Sequence, residues 1–316
     1  MQVKKSVVLA NVRVALIHAA LGSMLWLMIG PAMAAEPKSF PTPEEAAKAI
    51  LDAAARDDPD ALWAILGDEF RDELQNPDPA QEHENRKKVL DAAKESMTLR
   101  EDNPDTRVIV LGKEAWPMPI PIVRDANGWH FDTGAGVDEI IARRIGTNEL
   151  ATIDDLRAYV DAQVQYASTD RDGDDVLEYA QKITSTAGKK DGLYWPTAAG
   201  SDDELSPFGP FVGEHSAYLD DREQGDPFMG YYYRVVSRQG ENAPGGRYDY
   251  VINGNMIAGF AMIAWPAEYG SSGIMTFIVS QNGKIFQTDL GDQTGAAAAA
   301  MQVYDPDDSW SLVTEE

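Results

Sequence analysis

One acidic stretch constrains this chain more than any other: Ser168-Thr169-Asp170-Arg171-Asp172-Gly173-Asp174-Asp175-Val176-Leu177-Glu178. Five acids within nine residues repel one another, so packing them together without a cation is electrostatically unfavourable. The chain before it is rich in helix signals, and the chain after it is rich in strand and turn signals. That segregation predicts an α+β fold rather than alternating βαβ units. A length of 316 residues allows two domains of ordinary size.

The first residues read as a targeting segment. Lys4, Lys5 and Arg13 precede an apolar run from Val14 to Gly30, and Pro31-Ala32-Met33-Ala34-Ala35 follows it. A basic start, an apolar middle and an Ala-x-Ala site predict a signal peptide over 1–34, cleaved near Ala34 or Ala35. The chain is then expected in the periplasm or outside the cell, with no stable membrane insertion after cleavage. With no cysteine, the fold has no disulfides, no thiol nucleophile and no thiolate metal site. The 52 acidic against 27 basic residues repel nucleic acid and attract divalent cations.

Residues 35–146 read as an N-terminal α+β domain. Thr42-Pro43-Glu44-Glu45 forms a helix start with Thr42 as cap. Asp58-Pro59 starts a second helix that Gly67 ends, and 79–95 a third. From Thr106 the pattern turns extended. Arg107 to Leu111 reads as a strand, three prolines keep 116–123 irregular, and Asn127-Gly128 turns the chain into Trp129-His130-Phe131-Asp132. Helices followed by such a curved hairpin resemble the cystatin-like fold of the nuclear-transport-factor-like superfamily. That resemblance implies a cone between helix and sheet.

Residues 147–316 read as a second α+β domain. A short helix over 137–145 is expected to end at Gly146, and a longer one to run from Asn148 to Ala167. Leu150, Ile153, Leu156, Val160 and Val164 give it an apolar stripe at intervals of three and four. Strands are expected at 230–236, 248–252, 260–265, 274–279 and 284–289, with tight turns at Asn253-Gly254 and Asn282-Gly283. A short helix is expected at 296–300. The order of long helix, loop and meander, with Tyr231-Tyr232-Tyr233 and Phe260-Ala261-Met262-Ile263-Ala264-Trp265-Pro266, resembles the headpiece of type IV pilins and pseudopilins. The prepilin peptidase site and the long apolar first half of the helix are missing, so the resemblance implies a soluble relative, with another envelope or secretion-system protein as its partner.

The whole mature chain also resembles the bacterial family known as domain of unknown function 2950. Phe40-Pro41-Thr42-Pro43-Glu44-Glu45-Ala46, Asp170-Arg171-Asp172-Gly173-Asp174, Asp191-Gly192-Leu193-Tyr194-Trp195-Pro196, Ala243-Pro244-Gly245-Gly246 and Trp265-Pro266-Ala267-Glu268-Tyr269-Gly270 carry it. It implies an exported protein and carries over no catalytic residue.

Two sets of candidate site residues remain. Asp170, Asp172 and Asp174 alternate and Glu178 follows four residues on, a rhythm that can fold around one Ca²⁺, which takes six to eight oxygens. It resembles the Asp-x-Asp-x-Asp-Gly loops of secreted calcium proteins, although Asp175 stands where glycine is usual and Glu178 replaces the closing Asp. The metal set is therefore Asp170, Asp172, Asp174 and Glu178, as a structural Ca²⁺ site. Tyr194, Trp195, Trp265, Glu268 and Tyr269 form a possible ligand surface, weighed against aromatics that plug a core beside a turn. No Gly-x-Ser-x-Gly elbow, zincin helix, phosphate loop or dinucleotide fingerprint is present. The expectation is a non-enzymatic binding or assembly module of the cell envelope. The alternative is a periplasmic hydrolase working with carboxylates.

Overall fold

The computed structural model describes residues 35–197, 204–221 and 225–314. The expected signal peptide over 1–34 lies outside them. The first helices begin where capping chemistry places them. Thr42 Oγ1 accepts the Glu45 amide at the start of α1 (Pro43–Ala55), and Asp58 does the same for Ala61 in α2 (Pro59–Leu66). Gly67 ends α2 at φ +82°, and a single turn, α3 (Arg71–Leu74), leads to α4 (Pro79–Glu95), capped by Asp78.

These helices lie on an antiparallel sheet of β1 (Met97–Asn103), β2 (Thr106–Leu111), β3 (Trp116–Pro117), β4 (Ile122–Asp125) and β5 (Gly128–Phe131). The order is β1-β2-β4-β5, with the short proline-bound β3 also on β2. β1 is not visible in the sequence, because Thr98-Leu99-Arg100-Glu101-Asp102 offers no buried alternation and the strand is mostly exposed. Ala46, Ala47 and Ile50 of α1 meet Ile109, Leu111, Ile122 and Phe131 in the first core. Gly128 sits at φ +125°, and a Cβ there would stand 2.6 Å from the Phe40 carbonyl. The close approach lets Phe40 and Trp129 exchange backbone hydrogen bonds of 2.7 and 2.9 Å.

The expected break at Gly146 is absent. One helix of 34 residues, α5 (Thr133–Tyr166), runs through it. Gly in a helix interior costs about 1 kcal/mol against Ala, which is too little to end a helix whose both halves are packed. The stripe on α5 also differs from expectation. Leu150 and Val164 are 67% and 58% exposed, whereas Asn148, Thr152, Asp155, Leu156, Tyr159, Gln163 and Tyr166 are buried. The buried face is rotated from the apolar one because its polar members all find partners. Gln163, for example, accepts the Ala180 amide at 2.8 Å and donates to the Ala180 carbonyl at 2.8 Å and the Tyr159 hydroxyl at 3.0 Å.

After the acidic loop come α6 (Gly209–Glu214) and α7 (Ser216–Asp221). Then β6 (Tyr231–Val236) joins a second antiparallel sheet. The expected strand over 248–252 is split. β7 (Arg238–Gln239) pairs with β8 (Tyr248–Asp249), and β9 (Val251–Ile252) pairs with β10 (Asn255–Met256). Tyr250 between them is fully buried, with its hydroxyl on Gln239 Oε1 at 3.0 Å. Asn253 and Gly254 both take positive φ in the two-residue turn from β9 to β10. β11 (Ala261–Pro266), β12 (Met275–Ser280) and β13 (Ile285–Asp289) follow as expected, then α8 (Thr294–Ala300) and the edge strand β14 (Ser311–Leu312). The order is β14-β13-β12-β11-β6. Nearly every residue of β11 and β12 is buried, so both faces of this sheet are covered. The fold is α+β throughout, and among the described residues no helix is long and apolar enough to cross a membrane.

Candidate ligand cavity and acidic loop

The acidic loop is a set of nested turns. Asp170 accepts the amides of Gly173 at 2.8 Å and Asp175 at 3.0 Å, and Gly173 and Asp175 both take positive φ to allow it. The hydrogen bond from Gly173 is the main reason the Asp170 carboxyl lies below its ordinary range. Asp174 accepts the Val176 amide and the Asn255 side chain, which ties the loop to the first residue of β10. One carboxylate oxygen from each of Asp170, Asp172 and Asp174 lies within 4.8 Å of the others. Oxygen ligands at that separation suit a hard cation. Glu178 stands outside this group. Its carboxylate accepts the Met256 amide at 3.0 Å, and burial raises its pKa.

The five residues of the expected ligand surface have different partners. Trp195 is buried against the Arg171 guanidinium and donates to the Glu204 carbonyl at 3.0 Å. Trp265 packs on Tyr232, under Arg234. The backbone of Glu268 closes a turn with the Ser272 hydroxyl, and the half-buried Tyr269 reaches Asp289 at 3.3 Å. Tyr194 alone of the five lines a cavity.

That cavity has a volume of 640 Å³ and is walled by α5, α6, β6 and the 183–194 segment. Its lining includes Tyr159, Tyr194, Phe208, Phe211, Phe228 and Tyr233. Phe208 stacks on Phe211 with ring centroids 4.5 Å apart, and Phe228 meets Phe211 at 5.6 Å and Tyr233 at 6.2 Å. Into this wall projects Asp155 of α5, 7% exposed. Asp155 Oδ2 accepts the Tyr233 hydroxyl at 2.6 Å, and Thr152 lies 3.3 Å from the same hydroxyl. Burial pushes the Asp155 carboxyl up to about 7, against the hydrogen bond from Tyr233 and the charge of His215. His215 donates from Nδ1 to the Phe211 carbonyl and packs on Phe211 and Phe228. The sequence hid this site because Asp155 sits among Asp154, Asp161 and other solvated acids. The one available signal was the triple tyrosine of β6, which must put alternate rings on opposite faces.

A second concavity, of 1000 Å³, lies between α4, the 116–120 segment and α5. The cations at its rim are engaged. Arg144 donates to the Leu74 and Gln75 carbonyls and to Ser271, and Arg143 donates to Glu139 and the Pro117 carbonyl. Burial lowers the Arg144 pKa. Both guanidinium groups are thus held by carbonyls and side chains of the fold.

No curated protein and no solved structure matches the chain. A family model described as protein of unknown function (DUF2950) matches residues 37–313. With nearly all of the described chain inside that match, the protein belongs to the DUF2950 family.

Proposed function

We propose that this chain is an exported, non-enzymatic binding module of the cell envelope that holds a small organic ligand in the Asp155 cavity. The cavity carries this reading: it has aromatic walls and a buried carboxyl to orient what enters. Ligand sites are typically apolar concavities with a few placed polar groups. On this reading the acidic loop is a structural Ca²⁺ clip, with Asp170, Asp172 and Asp174 as ligands. The first half is then a cystatin-like module, and the second a soluble relative of the pilin headpiece that presents its ligand to another envelope protein.

The test uses N-phenyl-1-naphthylamine, a neutral fluorescent probe, on the mature chain from Ala35. The expected result is saturable binding with blue-shifted emission, lost in Val212→Trp, which fills the cavity wall. No saturable binding by the wild type of either this probe or a charged apolar one overturns the reading. A second reading, a hydrolase with Asp155 as general acid, is favoured by its carboxyl at about 7, where a proton donor works best near neutral pH. Hydrolysis of p-nitrophenyl esters by the wild type and its loss in Asp155→Asn would support that reading instead.

A further inference from the structure

Several rings outside the cavity carry one of the chain's own cations over a face. Arg107 and Arg124 lie over Trp129, Arg143 over Trp116, Arg71 over Trp63, and Arg234 over Trp265. Arg171 serves both Tyr166 and Trp195. Inside the cavity, eight of the seventeen lining residues are aromatic, and among the described residues no Lys or Arg lines it. The π faces there are electron-rich, and no cation of the described residues lies over them.

The charge in the cavity has the same sign as those faces. Asp155 and Asp226 are its ionisable carboxyls. Tyr233 takes Oδ2 of Asp155, which leaves Oδ1 open to a ligand. An anion entering here would meet the Asp155 carboxyl and, among the described residues, no guanidinium or ammonium in the lining. A neutral apolar molecule would fill the space but leave the Asp155 oxygen without a partner, which is unfavourable for a buried polar group. A positive group on an apolar body satisfies both the rings and the carboxylate.

We propose that the cavity takes an organic cation, an ammonium group on a compact apolar body, with Asp155 as its counter-ion. This rests on the binding reading above and narrows it to one class of ligand. It also fixes a pH dependence. Binding requires the Asp155 carboxylate, and in the free protein that carboxyl holds its proton up to about pH 7. Each cation bound near neutral pH therefore expels part of a proton, and apparent affinity falls about tenfold from pH 8 to pH 6. The groups around Asp155 are Tyr233 on β6, His215 beyond α6, Asp154 on its own helix and, in the same lining, Asp226. A protonated His215 would also repel a cation, so it acts in the same direction, and His215→Gln separates the two.

Isothermal titration calorimetry on the mature chain tests this with phenyltrimethylammonium and its uncharged carbon isostere, tert-butylbenzene. At pH 8 the ammonium should bind at least tenfold tighter than the isostere. Asp155→Asn should remove that preference, and His215→Gln should keep both the preference and most of the loss at pH 6. Equal affinity for the two compounds would overturn the cation assignment while leaving a binding module in place. Binding of neither compound would overturn it as well, and the naphthylamine probe then reports separately on whether the cavity binds anything. The wild-type comparison decides the matter even if Asp155→Asn fails to fold.

Discussion

At the scale of single residues, Asp155 sets a pH dependence on stability as well as on binding. Its carboxyl is raised from the ordinary 3.8 to about 7 by burial. The folded state therefore keeps the proton while the unfolded chain gives it up. The stability this residue contributes is complete below about pH 4 and is lost as pH rises to 7, at about 1.4 kcal/mol per pH unit for full ionisation of the unfolded chain. Above pH 7 both states are ionised and the loss stops growing. Asp155→Asn keeps an acceptor for Tyr233 and removes the charge. Urea unfolding should then show the variant matching the wild type at pH 4 and exceeding it by roughly 2–4 kcal/mol at pH 8. A stability difference that stays constant over that range would show that the carboxyl ionises in the folded state as freely as in water.

At the scale of elements, the capped helices and most strands were legible because their signals are local, whereas β1, without buried alternation, was not. Thr42, Asp58, Gly67 and Asn253-Gly254 each act within a few residues, and each has its expected role. The long helix was legible in existence but not in extent or face. Gly146 reads as a stop, yet packing on either side carries the helix through it. Leu150 and Val164 read as core, yet the face that turns inward holds Asn148, Thr152, Asp155 and Gln163. Each of these four is buried by partners more than ten residues away, such as Ser272, Tyr233 and Ala180, and no local pattern reveals them. The acidic loop is the reverse case: its sequence is plain, and the structure adds the bond to Asn255. With three carboxylates inside 4.8 Å, a bound Ca²⁺ would relieve their repulsion and hold the end of α5 to the β9–β10 hairpin. Calcium should therefore raise the melting temperature of metal-free protein beginning at Ala35 beyond the effect of matched ionic strength in NaCl, and Asp172→Ala should lose the excess. At a hundredfold excess over Kd the gain is about 2.7 kcal/mol. An unchanged melting temperature in the wild type would remove calcium from the description of this loop.

At the scale of the whole molecule, the question is whether two hydrophobic cores make two units. Composition suggests a division at 146/147, and α5 passes through that point without a break. Buried polar bonds also cross it. The Asp78 carboxylate, fully buried at the start of α4, accepts the Tyr218 hydroxyl at 2.5 Å and the Gly230 amide at 3.0 Å. Beside it Gln81 donates to Asn148 at 2.7 Å, and Asn148 donates to the Ser272 carbonyl at 2.8 Å. These groups have no water to fall back on, so opening either core strands donors that belong to the other. Residues 35–316 should therefore unfold in one calorimetric transition, and hydrogen exchange should give β2 and β12 the same opening free energy. Asp78→Ala takes the side-chain acceptor from the Gly230 and Gln81 amides and one acceptor from the Tyr218 hydroxyl, a loss of about 3 kcal/mol or more. It should lower the single melting temperature by roughly 6–10 °C and reduce protection of β2 and β12 equally. If protection fell in β12 alone while β2 kept its own, the polar bridge would be a contact between two independent folds rather than the joint of one.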